Sequence, residues 1–380
     1  MDSRSTIVAV DRAARAIRIR WADGHTSAYQ NIWLRDNCAC NCCGAHASGS
    51  RFQALLDIPD GISPAAVKAE ATALTIIWAN DGHESRFDAG WLRRYCYSNV
   101  ERARRRPRKT FWDSSLDALP MVDYRLARQD GSERRKLFAN VSEYGFVVVT
   151  DVGDQGEETG RLAGMIGYTR DTHFGPITDL TLRASPGHLS DYPTEILPHS
   201  DETYRYVPTG INIFHCIRPS SDGGGLSILV DSHHCAARLA AEDADAFALL
   251  SRLPIQHERR ADGEVIRSNH PAITLDYEGN VTEVRLNERT MSALSLPEQL
   301  VEPAYRALRK AFRIAYDPAS CVSYRLQAGE ALVFDNLRVL HGRTAFAGER
   351  LMRQTNVMRD EFYAKLAFLE ESSSGAADGR

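Results

Sequence analysis

The N-terminal hundred residues contain one short pattern twice, and this repeat limits what that part of the chain can fold into. Residues 17–38 and residues 74–96 each begin with alternating apolar and polar residues that end at a tryptophan, Trp21 and Trp78. Each segment continues through a turn with glycine and histidine, then a Trp-Leu-Arg sequence, then a cysteine. Alternation with period two is typical of β-strands. The repeat therefore predicts two matching strand–turn–strand–corner units in a small β-rich domain. Two hairpins that are alike by chance are the alternative.

Four of the eight cysteines fall between residues 38 and 43. A disulfide framework would distribute its cysteines to close loops, so a tight cluster in a chain without a secretion signal indicates a metal site. Cys38, Cys40 and Cys43 form C-x-C-x2-C, and Cys42 is an extra thiol that could substitute for Cys43. A reduced cysteine cluster without metal is the alternative. The N-terminal residues are charged and lack a long apolar run, which argues against a signal peptide and predicts a cytoplasmic location.

The overall composition excludes some classes of protein. The chain has 43% hydrophobic and 25% charged residues, as ordinary globular proteins do. No apolar run approaches the ~20 residues that span a bilayer. The net charge of -4 gives no general attraction to nucleic acid or membranes. The basic segment ERARRRPRK at 101–109 is short and contains a proline, so we interpret it as an exposed linker. A zinc-domain adaptor that binds nucleic acid through this segment is the alternative.

Beyond residue 120 the chain predicts a larger, mainly β domain with inserted helices. Apolar strand candidates follow one another at irregular spacing, at 145–150, 210–217, 226–231, 272–277 and 331–335. Helical stretches lie at 232–253 and 297–315. This order favours a jelly roll over a doubly wound sheet, in which strands and helices would alternate. We predict a β-rich zinc-binding domain at 1–100, a basic linker at 101–120, a catalytic domain at 121–370 and a disordered tail at 371–380.

Two histidines and one carboxylate form a candidate metal site. LPHSDETYR places His199 and Asp201 two residues apart, and side chains at i and i+2 of a strand point to the same face. About one such pair is expected by chance, so the pair alone is weak evidence. Far downstream, a strand–turn–strand sequence ends in His341-Gly342-Arg343. A third ligand from a distant antiparallel strand completes the set of iron(II) oxygenases, which leaves open coordination positions. For His341 alone, a purely structural histidine is the alternative.

An oxygenase of this type needs two electrons beyond those of its substrate, and a keto acid supplies them by oxidative decarboxylation. Such a cosubstrate would chelate the iron and leave a far carboxylate to be bound. Arginine forms bidentate pairs with carboxylates, and Arg350 and Arg353 follow His341 on the predicted next strand. Ser227 in GGGLSILVD is a further hydrogen-bond donor. A solvated surface charge is the alternative for Arg353 and Arg359.

Segments from both predicted domains resemble one known enzyme family. The matching segments are WLRDNCACNCC, GFVVV, ILPHSDETYRYVPTGINIFHCI, GGGLSILVDS, FDNLRVLHGR and RDEF. They resemble γ-butyrobetaine and trimethyllysine hydroxylases of the TauD/TfdA group of iron(II)/2-oxoglutarate dioxygenases. The resemblance covers nearly the whole chain. It implies a double-stranded β-helix, or jelly roll, that is commonly a homodimer and that uses Fe(II), 2-oxoglutarate and O2, with stimulation by ascorbate.

The resemblance also implies roles for particular residues. Arg350 and Ser227 match the family positions that hold 2-oxoglutarate. The N-terminal domain of the family carries zinc on three cysteines and a histidine, which here match Cys38, Cys40, Cys43 and His83. A Cys3His site is a closed structural set, so no catalysis is expected there.

The residues that select the substrate follow from the same resemblance. A trimethylammonium group calls for aromatic faces around the cation. The family's cage positions match Phe174, Thr178, Tyr192 and Asn356. Asn287 matches the asparagine that binds the substrate carboxylate, and Tyr204 lies nearby in sequence. A second carboxylate-binding position of the family, near Leu189, is not kept.

We therefore predict a hydroxylase of a small zwitterion of the γ-butyrobetaine type, with a small molecule and O2 as its partners and no nucleic acid or membrane. Arg285 and Arg289 flank Asn287 and suit a more highly charged anion. A hydroxylase of a trimethylated aminophosphonate, such as 2-(trimethylammonio)ethylphosphonate, or of another amino-acid-like acid is thus the alternative. A non-catalytic ligand-binding module is the alternative from a different class.

Overall fold

The structure is a computed structural model that describes residues 3–44, 49–172, 175–182, 191–261 and 263–373. The chain divides into two compact units, Met1–Pro107 and Arg108–Ser373. Each unit has its own hydrophobic core. Among the residues described, no helix combines the length and the apolar character that crossing a membrane requires.

The first unit contains the two matching halves that the repeat predicts. In the first half an antiparallel sheet precedes a short helix: β1 (Ile7–Arg12), β2 (Ala16–Trp21), β3 (Thr26–Gln30) and α1 (Asn31–Asp36). The second half has the same order: β4 (Pro64–Glu70), β5 (Ala73–Trp78), β6 (Glu84–Asp88) and α2 (Ala89–Arg94). The prediction of two strand–turn–strand–corner units is confirmed.

Period-two alternation places the apolar side chains of both central strands in one core. The buried residues are Ile17, Ile19 and Trp21 in β2, and Leu74, Ile76 and Trp78 in β5. The indole N–H of Trp21 donates to Ser27 Oγ at 2.8 Å, and that of Trp78 donates to Ser85 Oγ at 2.9 Å. Each large ring is therefore buried with its only polar atom hydrogen-bonded.

The segment expected to be a linker is partly structured. Helix α3 (Asn99–Arg105) begins after Ser98, whose hydroxyl accepts a hydrogen bond from the N–H of Glu101 and caps the helix. Trp112 is buried in the second unit, where its indole donates to the Tyr144 carbonyl at 2.6 Å. At the other end of the chain, α10 (Arg359–Ser373) continues into the predicted disordered tail. The remainder of that tail lies outside the described residues.

Two sheets form the frame of the second unit. The four-stranded sheet has the order β10 (Ile196–His199), β19 (Val339–Arg343), β12 (Ser227–Asp231) and β17 (Cys321–Tyr324). The six-stranded sheet has the order β7 (Met121–Asp123), β8 (Phe146–Thr150), β18 (Ala331–Asp335), β11 (Ile211–Arg218), β20 (Leu351–Val357) and β9 (Thr178–Leu180). Two further antiparallel pairs are β13 (Pro254–Ala261) with β14 (Glu264–Pro271), and β15 (Ile273–Leu275) with β16 (Val281–Val284). Side chains of both large sheets share one core cluster, as the predicted jelly roll requires.

The first four residues of strand β8 are apolar because both faces of the strand are buried there. Phe146 and Val148 face the core between the two sheets, whereas Val147 and Val149 belong to a second core on the opposite face. A strand covered on both faces has no solvated side on which polar residues would be favoured. The helices of that second core are α4 (Tyr124–Gln129), α5 (Gly131–Tyr144), α6 (Glu157–Ile166) and α10.

The four-stranded sheet is also covered by helices. These are α7 (Ser232–Glu242), α8 (Ala244–Leu250) and α9 (Glu298–Ala315), which share a core with Val230 and Leu340 of the sheet. The sequence predicts one helix over 232–253, but the structure interrupts it at Asp243. The carboxylate of Asp243 accepts a hydrogen bond from the N–H of Ala246 at 3.0 Å and caps α8. Aspartate competes with helical hydrogen bonds in a helix interior but stabilises a helix start, so a break at this residue is favoured.

Candidate active site

Strand pairing brings His199 and His341 together. His199 ends β10, His341 lies in β19, and the two residues are direct partners in the antiparallel ladder. Their ring centroids are 4.4 Å apart, and both residues are buried. The structure thus places side by side two histidines that are far apart in the sequence.

The Asp201 side chain lies beside the two histidines, but Asp201 belongs to a turn and not to a strand. Strand β10 ends at His199, and the turn that follows contains Glu202 in the left-handed region with φ 51°. The expectation that a strand sets His199 and Asp201 on one face is therefore wrong, although the two side chains do meet. Asp201 Oδ1 lies 3.3 Å from His199 Nε2, and Oδ2 lies 3.4 Å from His341 Nε2.

These separations fit three ligands of one metal ion. Ligands about 2.1 Å from an ion and at right angles to each other stand about 3 Å apart. One ligand atom from each of the three residues lies within 4.8 Å of the others. His199 Nδ1 lies 2.9 Å from the Leu197 carbonyl, which makes Nδ1 the donor and leaves the Nε2 lone pair directed at Asp201. His341 Nδ1 is buried and has no hydrogen-bond partner among the described residues.

The protonation states also suit a divalent cation. Burial lowers the pKa of His341 to about 3, so this ring is neutral. Burial alone would raise the pKa of Asp201, but its interactions with His341 and His199 outweigh that effect and the pKa lies below its ordinary value. The carboxylate also accepts hydrogen bonds from Asn212 Nδ2 at 3.0 Å and Gln354 Nε2 at 3.3 Å. A neutral imidazole and a carboxylate are the forms in which these side chains bind metal.

A buried side-chain amide fixes the turn that carries Asp201. Asn336 Oδ1 accepts from the Asp201 N–H, and Asn336 Nδ2 donates to the Asp201 and Thr209 carbonyls. Asn336 lies in the turn between β18 and β19, so the connection that leads into the strand of His341 also holds Asp201. In the sequence this asparagine is visible only as a turn residue, and its complete burial reveals its role.

The three residues lie in the wall of a cavity of about 680 Å³, a size suited to small molecules. Arg350 lies in the same wall, directly before β20, and is only 8% exposed. Its guanidinium stands 5.4 Å from the centre of the Phe346 ring, and no described carboxylate forms an ion pair with it. Burial lowers the pKa of Arg350. A buried guanidinium without a counter-charge is a binding position for an anion.

Arg343 is a second guanidinium in this wall, and neither the sequence motifs nor the family resemblance predicts a role for it. It follows His341 by two residues on β19, so both side chains share one face. Its direct partner across the ladder is Ser227, which also lines the cavity. Arg343 and Arg350 stand on one aromatic ring, with Arg343 4.9 Å from the centre of Phe346. The alternation that begins at His341 is the sequence signal that could have found it.

The glycines before Ser227 allow the chain to approach Arg350 closely. Gly225 has φ 68°, and a Cβ there would lie 3.1 Å from Arg350 Nε. A Cβ at Gly224 would lie 2.5 Å from the Ala345 carbonyl oxygen. Side chains at these two positions would displace the segment that carries the arginine.

Asn287 and Tyr204 both line the cavity, as Thr178 and Asn356 do. Asn287 is rigidly held, because its Nδ2 donates to the Ser200 carbonyl at 3.0 Å and its Oδ1 accepts from the Arg289 N–H at 3.2 Å. Tyr204 is buried, and the Arg259 guanidinium lies 5.6 Å from its ring centre.

The structure does not bring all the predicted substrate residues together. Tyr192 is 45% exposed and does not belong to the described cavity wall; its backbone carbonyl accepts a hydrogen bond from Arg343. Phe174 lies outside the described residues. Arg285 pairs with Glu283 at 2.9 Å and lies outside the described wall, whereas Arg289 lines it.

The first unit contains a second cluster of metal-binding residues. Cys38, Cys40 and Cys43 place their sulfurs 3.3, 3.5 and 3.5 Å from His83 Nε2. These atoms all lie within 4.8 Å of one another. Burial and the nearby Arg35 lower the pKa of His83, which keeps the ring neutral. The arrangement fits the Cys3His set of a structural zinc site.

The structure distinguishes between the two candidate thiols at the end of the cysteine cluster. Cys43 is buried in the cluster, whereas Cys42 is exposed outside it. Arg35 Nη1 donates to Cys43 Sγ at 3.2 Å. The N–H of Cys43 and that of Gly44 both donate to the Cys40 carbonyl, which forms a tight turn that directs Cys40 and Cys43 to one point.

Two family models match this chain. Residues 114–356 match the taurine catabolism dioxygenase TauD/TfdA family, and residues 8–93 match the gamma-butyrobetaine hydroxylase-like N-terminal family. Trimethyllysine dioxygenase of Meyerozyma guilliermondii is 32% identical over 93% of each chain. Gamma-butyrobetaine dioxygenase of Pseudomonas sp. (strain AK-1) is 30% identical over 94% of each chain. A crystal structure of a taurine dioxygenase from Burkholderia xenovorans shares the fold, with a TM-score of 0.51 and 16% identity over 65% of this chain and 90% of that one.

A jelly roll that carries two histidines and a carboxylate in a cavity wall is the arrangement of non-haem iron(II) oxygenases. Together with these matches it shows an enzyme that depends on Fe(II) and 2-oxoglutarate. The chain belongs to the TauD/TfdA dioxygenase family.

Proposed function

We propose that this dioxygenase hydroxylates a small zwitterionic acid related to γ-butyrobetaine and that the reaction takes place in the cavity described above. The observation that carries the proposal is the meeting of His199, Asp201 and His341 in a wall that also contains the buried guanidinium of Arg350. Relatives named for gamma-butyrobetaine and trimethyllysine match the chain over nearly its full length, which supports this substrate class.

In this proposal His199, Asp201 and His341 hold Fe(II). Bound iron, with 2-oxoglutarate and O2, supplies the oxidation of an unactivated C–H bond. The hydrogen bonds that His199 and Asp201 make to neighbouring groups fix their orientation before metal binds, so little reorganisation is needed. The ligands contribute one negative charge in total, which leaves the site cationic with a divalent ion and attracts an anionic cosubstrate.

Arg350 and Ser227 would bind the far carboxylate of 2-oxoglutarate. The ladder places Ser227 opposite Arg343, and Leu229, two residues further along β12, opposite His341. Ser227 therefore lies on the strand face that also carries His341. Arg343 adds a second positive charge beside the same Phe346 ring. Two guanidiniums in a partly buried pocket favour an anion over a neutral ligand.

Asn287 and Tyr204 would place the substrate. The Asn287 amide is held at both ends, and the Tyr204 ring is buried in the cavity wall. Within the described part of the wall the aromatic rings are those of Tyr204 and Phe214, and Phe214 contacts His341 on the metal side. Phe174 and Tyr192 are proposed for the cationic group from the family resemblance alone.

A trimethylated aminophosphonate is the second candidate substrate. Arg289 and Arg259 both line the cavity, next to Asn287 and Tyr204 respectively. Two guanidiniums on the substrate side suit a dianionic phosphonate better than a single carboxylate. In the described wall, aromatic side chains that could surround the cation are fewer than the arginines that could bind the anion.

The zinc cluster of the first unit is proposed to be structural, because a Cys3His set leaves no open coordination position. We also propose a homodimer, on the basis of the family resemblance. Light scattering after size-exclusion chromatography would measure it, and a monomeric mass at micromolar concentration would contradict it.

The test is succinate formation from 2-oxoglutarate with Fe(II) and ascorbate, measured against a panel of betaines, aminophosphonates and amino acids. We expect turnover to be stimulated by one of the first two groups and to be abolished in His199→Ala. His234→Ala is the matched control, because His234 bonds the Trp112 carbonyl and lies outside the described cavity wall. Absence of stimulation across the whole panel would contradict the proposed substrate class.

Arg289→Gln tests the phosphonate candidate. If the substrate is a phosphonate, its KM should rise about tenfold or more, since a charged hydrogen bond contributes about 1.5–3 kcal/mol. The KM for 2-oxoglutarate should remain unchanged. A large rise in the KM for 2-oxoglutarate would instead place Arg289 on the cosubstrate side.

A further inference from the structure

The two halves of the first unit exchange contacts as the subunits of a twofold dimer do. Arg35 of the first half pairs with Asp81 of the second at 3.1 Å, and Arg93 of the second half pairs with Asp23 of the first at 2.8 Å. Arg93 and Asp81 occupy the same places in the second copy of the repeat as Arg35 and Asp23 do in the first. Reciprocal pairing of this kind is the mark of an isologous contact.

The twofold relationship between the two halves also places a counterpart of the Cys3His cluster in the first unit. At the cluster, His83 of the second half meets Cys38 of the first half at 3.3 Å. At the equivalent place, His25 of the first half meets Cys96 of the second half at 3.6 Å. Both histidines lie in turns in which the backbone N–H of the histidine donates to an aspartate carboxylate at 3.0 Å.

One thiol of the cluster is a hydroxyl in the counterpart. Cys40 follows Cys38 by two residues, and Ser98 follows Cys96 in the same way. Ser98 Oγ lies 3.4 Å from His25 Nε2, close to the 3.5 Å between Cys40 Sγ and His83 Nε2. A serine hydroxyl is not among the usual zinc ligands, which are thiolate, imidazole and carboxylate.

The third thiol is a carboxylate in the counterpart. Glu101 holds the place of Cys43, and each group accepts a hydrogen bond from the equivalent arginine: Arg93 to Glu101 at 2.9 Å and Arg35 to Cys43 at 3.2 Å. The counterpart therefore keeps an acidic group beside the arginine but lacks the sulfur. Arg104 also donates to Glu101 at 2.8 Å, so two guanidiniums already occupy this carboxylate.

We infer that His25, Cys96, Ser98 and Glu101 are a degenerate second copy of the zinc site, produced by internal duplication, which holds no zinc in the native chain but regains a zinc site when its two missing thiols are restored. The inference rests on the proposal that the Cys3His cluster binds zinc. In the native chain the Ser27–Cys96 hydrogen bond and the ion pairs of Glu101 with Arg93 and Arg104 connect the segments of the second site. In the first site the zinc ion would connect the equivalent segments. A histidine and one thiolate alone do not fill a tetrahedral site.

The test is the zinc content of purified full-length protein, measured by mass spectrometry of the metal. We expect one zinc per chain in the wild type and two in S98C/E101C. Cobalt(II) substitution gives a second readout, because thiolate-to-cobalt absorption should rise about twofold in the variant. The matched control is S63C/E70C, whose new thiols lie directly before β4 and at its last residue and should add no metal.

The outcomes separate this inference from the proposal on which it rests. A wild type without zinc contradicts the proposed zinc site itself. Two zinc ions in the wild type, or one in a folded S98C/E101C, overturn the degenerate copy. If S98C/E101C does not fold, the mirror variant C40S/C43E decides. It gives the first site the pattern of the second, and should lose its zinc but keep the far-UV circular dichroism of the wild type. Loss of that spectrum contradicts the inference.

Discussion

Asn336 holds the backbone of Asp201 from both sides: its Oδ1 accepts the Asp201 N–H at 2.7 Å, and its Nδ2 donates to the Asp201 carbonyl at 3.1 Å. The turn that carries Asp201 contains Glu202 in the left-handed region. Residues other than glycine rarely adopt this conformation without support from neighbouring groups. The position of Asp201 relative to His341 is therefore set by the β18–β19 turn as well as by the turn that follows β10.

Asn336→Ala is expected to weaken Fe(II) binding at least tenfold and to lower turnover. The change leaves the Asp201 N–H and two carbonyl groups without their partner, at a cost of about 1–3 kcal/mol in folding stability for each buried group. Anaerobic Fe(II) titration and urea unfolding measure the two effects. Asn280→Ala, in the exposed β15–β16 turn, is the matched control and should change neither. Unchanged Fe(II) affinity in Asn336→Ala would show that Asp201 needs no such support.

Arg350→Gln is expected to raise the KM for 2-oxoglutarate about 10–100-fold, because it removes a charged hydrogen bond of about 1.5–3 kcal/mol. Arg350→Lys should recover only part of the loss, since an ammonium cannot make the bidentate pair. Steady-state kinetics with varied 2-oxoglutarate measure the effect. Arg260→Gln, at an exposed residue paired with Glu258, is the control. An unchanged KM in Arg350→Gln would remove Arg350 from the cosubstrate site.

Cys43→Ser and Cys42→Ser are expected to differ sharply in zinc content. Cys43 is buried in the cluster and Cys42 is exposed outside it, so only the first substitution should release the metal and lower the melting temperature. Zinc analysis and thermal unfolding of both variants provide the comparison. Zinc loss in Cys42→Ser with retention in Cys43→Ser would reverse the assignment.

His257 is expected to make the stability of the second unit depend on pH. Burial, together with Arg285 and His270, lowers the pKa of His257 to about 4, against an ordinary value of 6.5. Between these values the unfolded chain binds more protons than the folded chain. The free energy of unfolding therefore rises as the pH increases through this window and falls on acidification, by up to about 3 kcal/mol.

Urea unfolding at pH 7 and pH 5 measures this dependence. His257→Gln should lose less stability on acidification than the wild type does. His234→Gln, at a half-exposed position, should behave like the wild type. An equal acid-induced loss in His257→Gln and the wild type would assign the effect to other groups.

The repeat and the apolar strand runs predict most of the architecture because they are local signals. Trp21 and Trp78 end strands as expected, and the strand at 145–150 is found at Phe146–Thr150. The helix predicted over 232–253 is wrong in one respect, since periodicity does not reveal that Asp243 caps a new helix. Boundaries of this kind depend on single hydrogen bonds.

The substrate residues show the limits of sequence reasoning most clearly. The family resemblance predicts Tyr192 in the substrate site, yet it is 45% exposed and lies outside the described wall. Tyr204, a few residues after the metal pair, is buried in the wall. Which of two nearby tyrosines faces a cavity depends on the path of the loop, which local pattern does not encode.

Residue types and their spacing are enough to predict the available chemistry: two histidines and a carboxylate, three cysteines in a C-x-C-x2-C pattern, an arginine beyond the last histidine, and a repeated half-domain. How these groups meet depends on the tertiary structure. It selected Cys43 over Cys42, delivered Asp201 from a turn, placed Asn336 behind it and added Arg343 to the cavity wall. The reason is physical: residue types and spacing set which side chains can bind a ligand. Strand register and burial, which arise from contacts between distant segments, set which of them share one point in space.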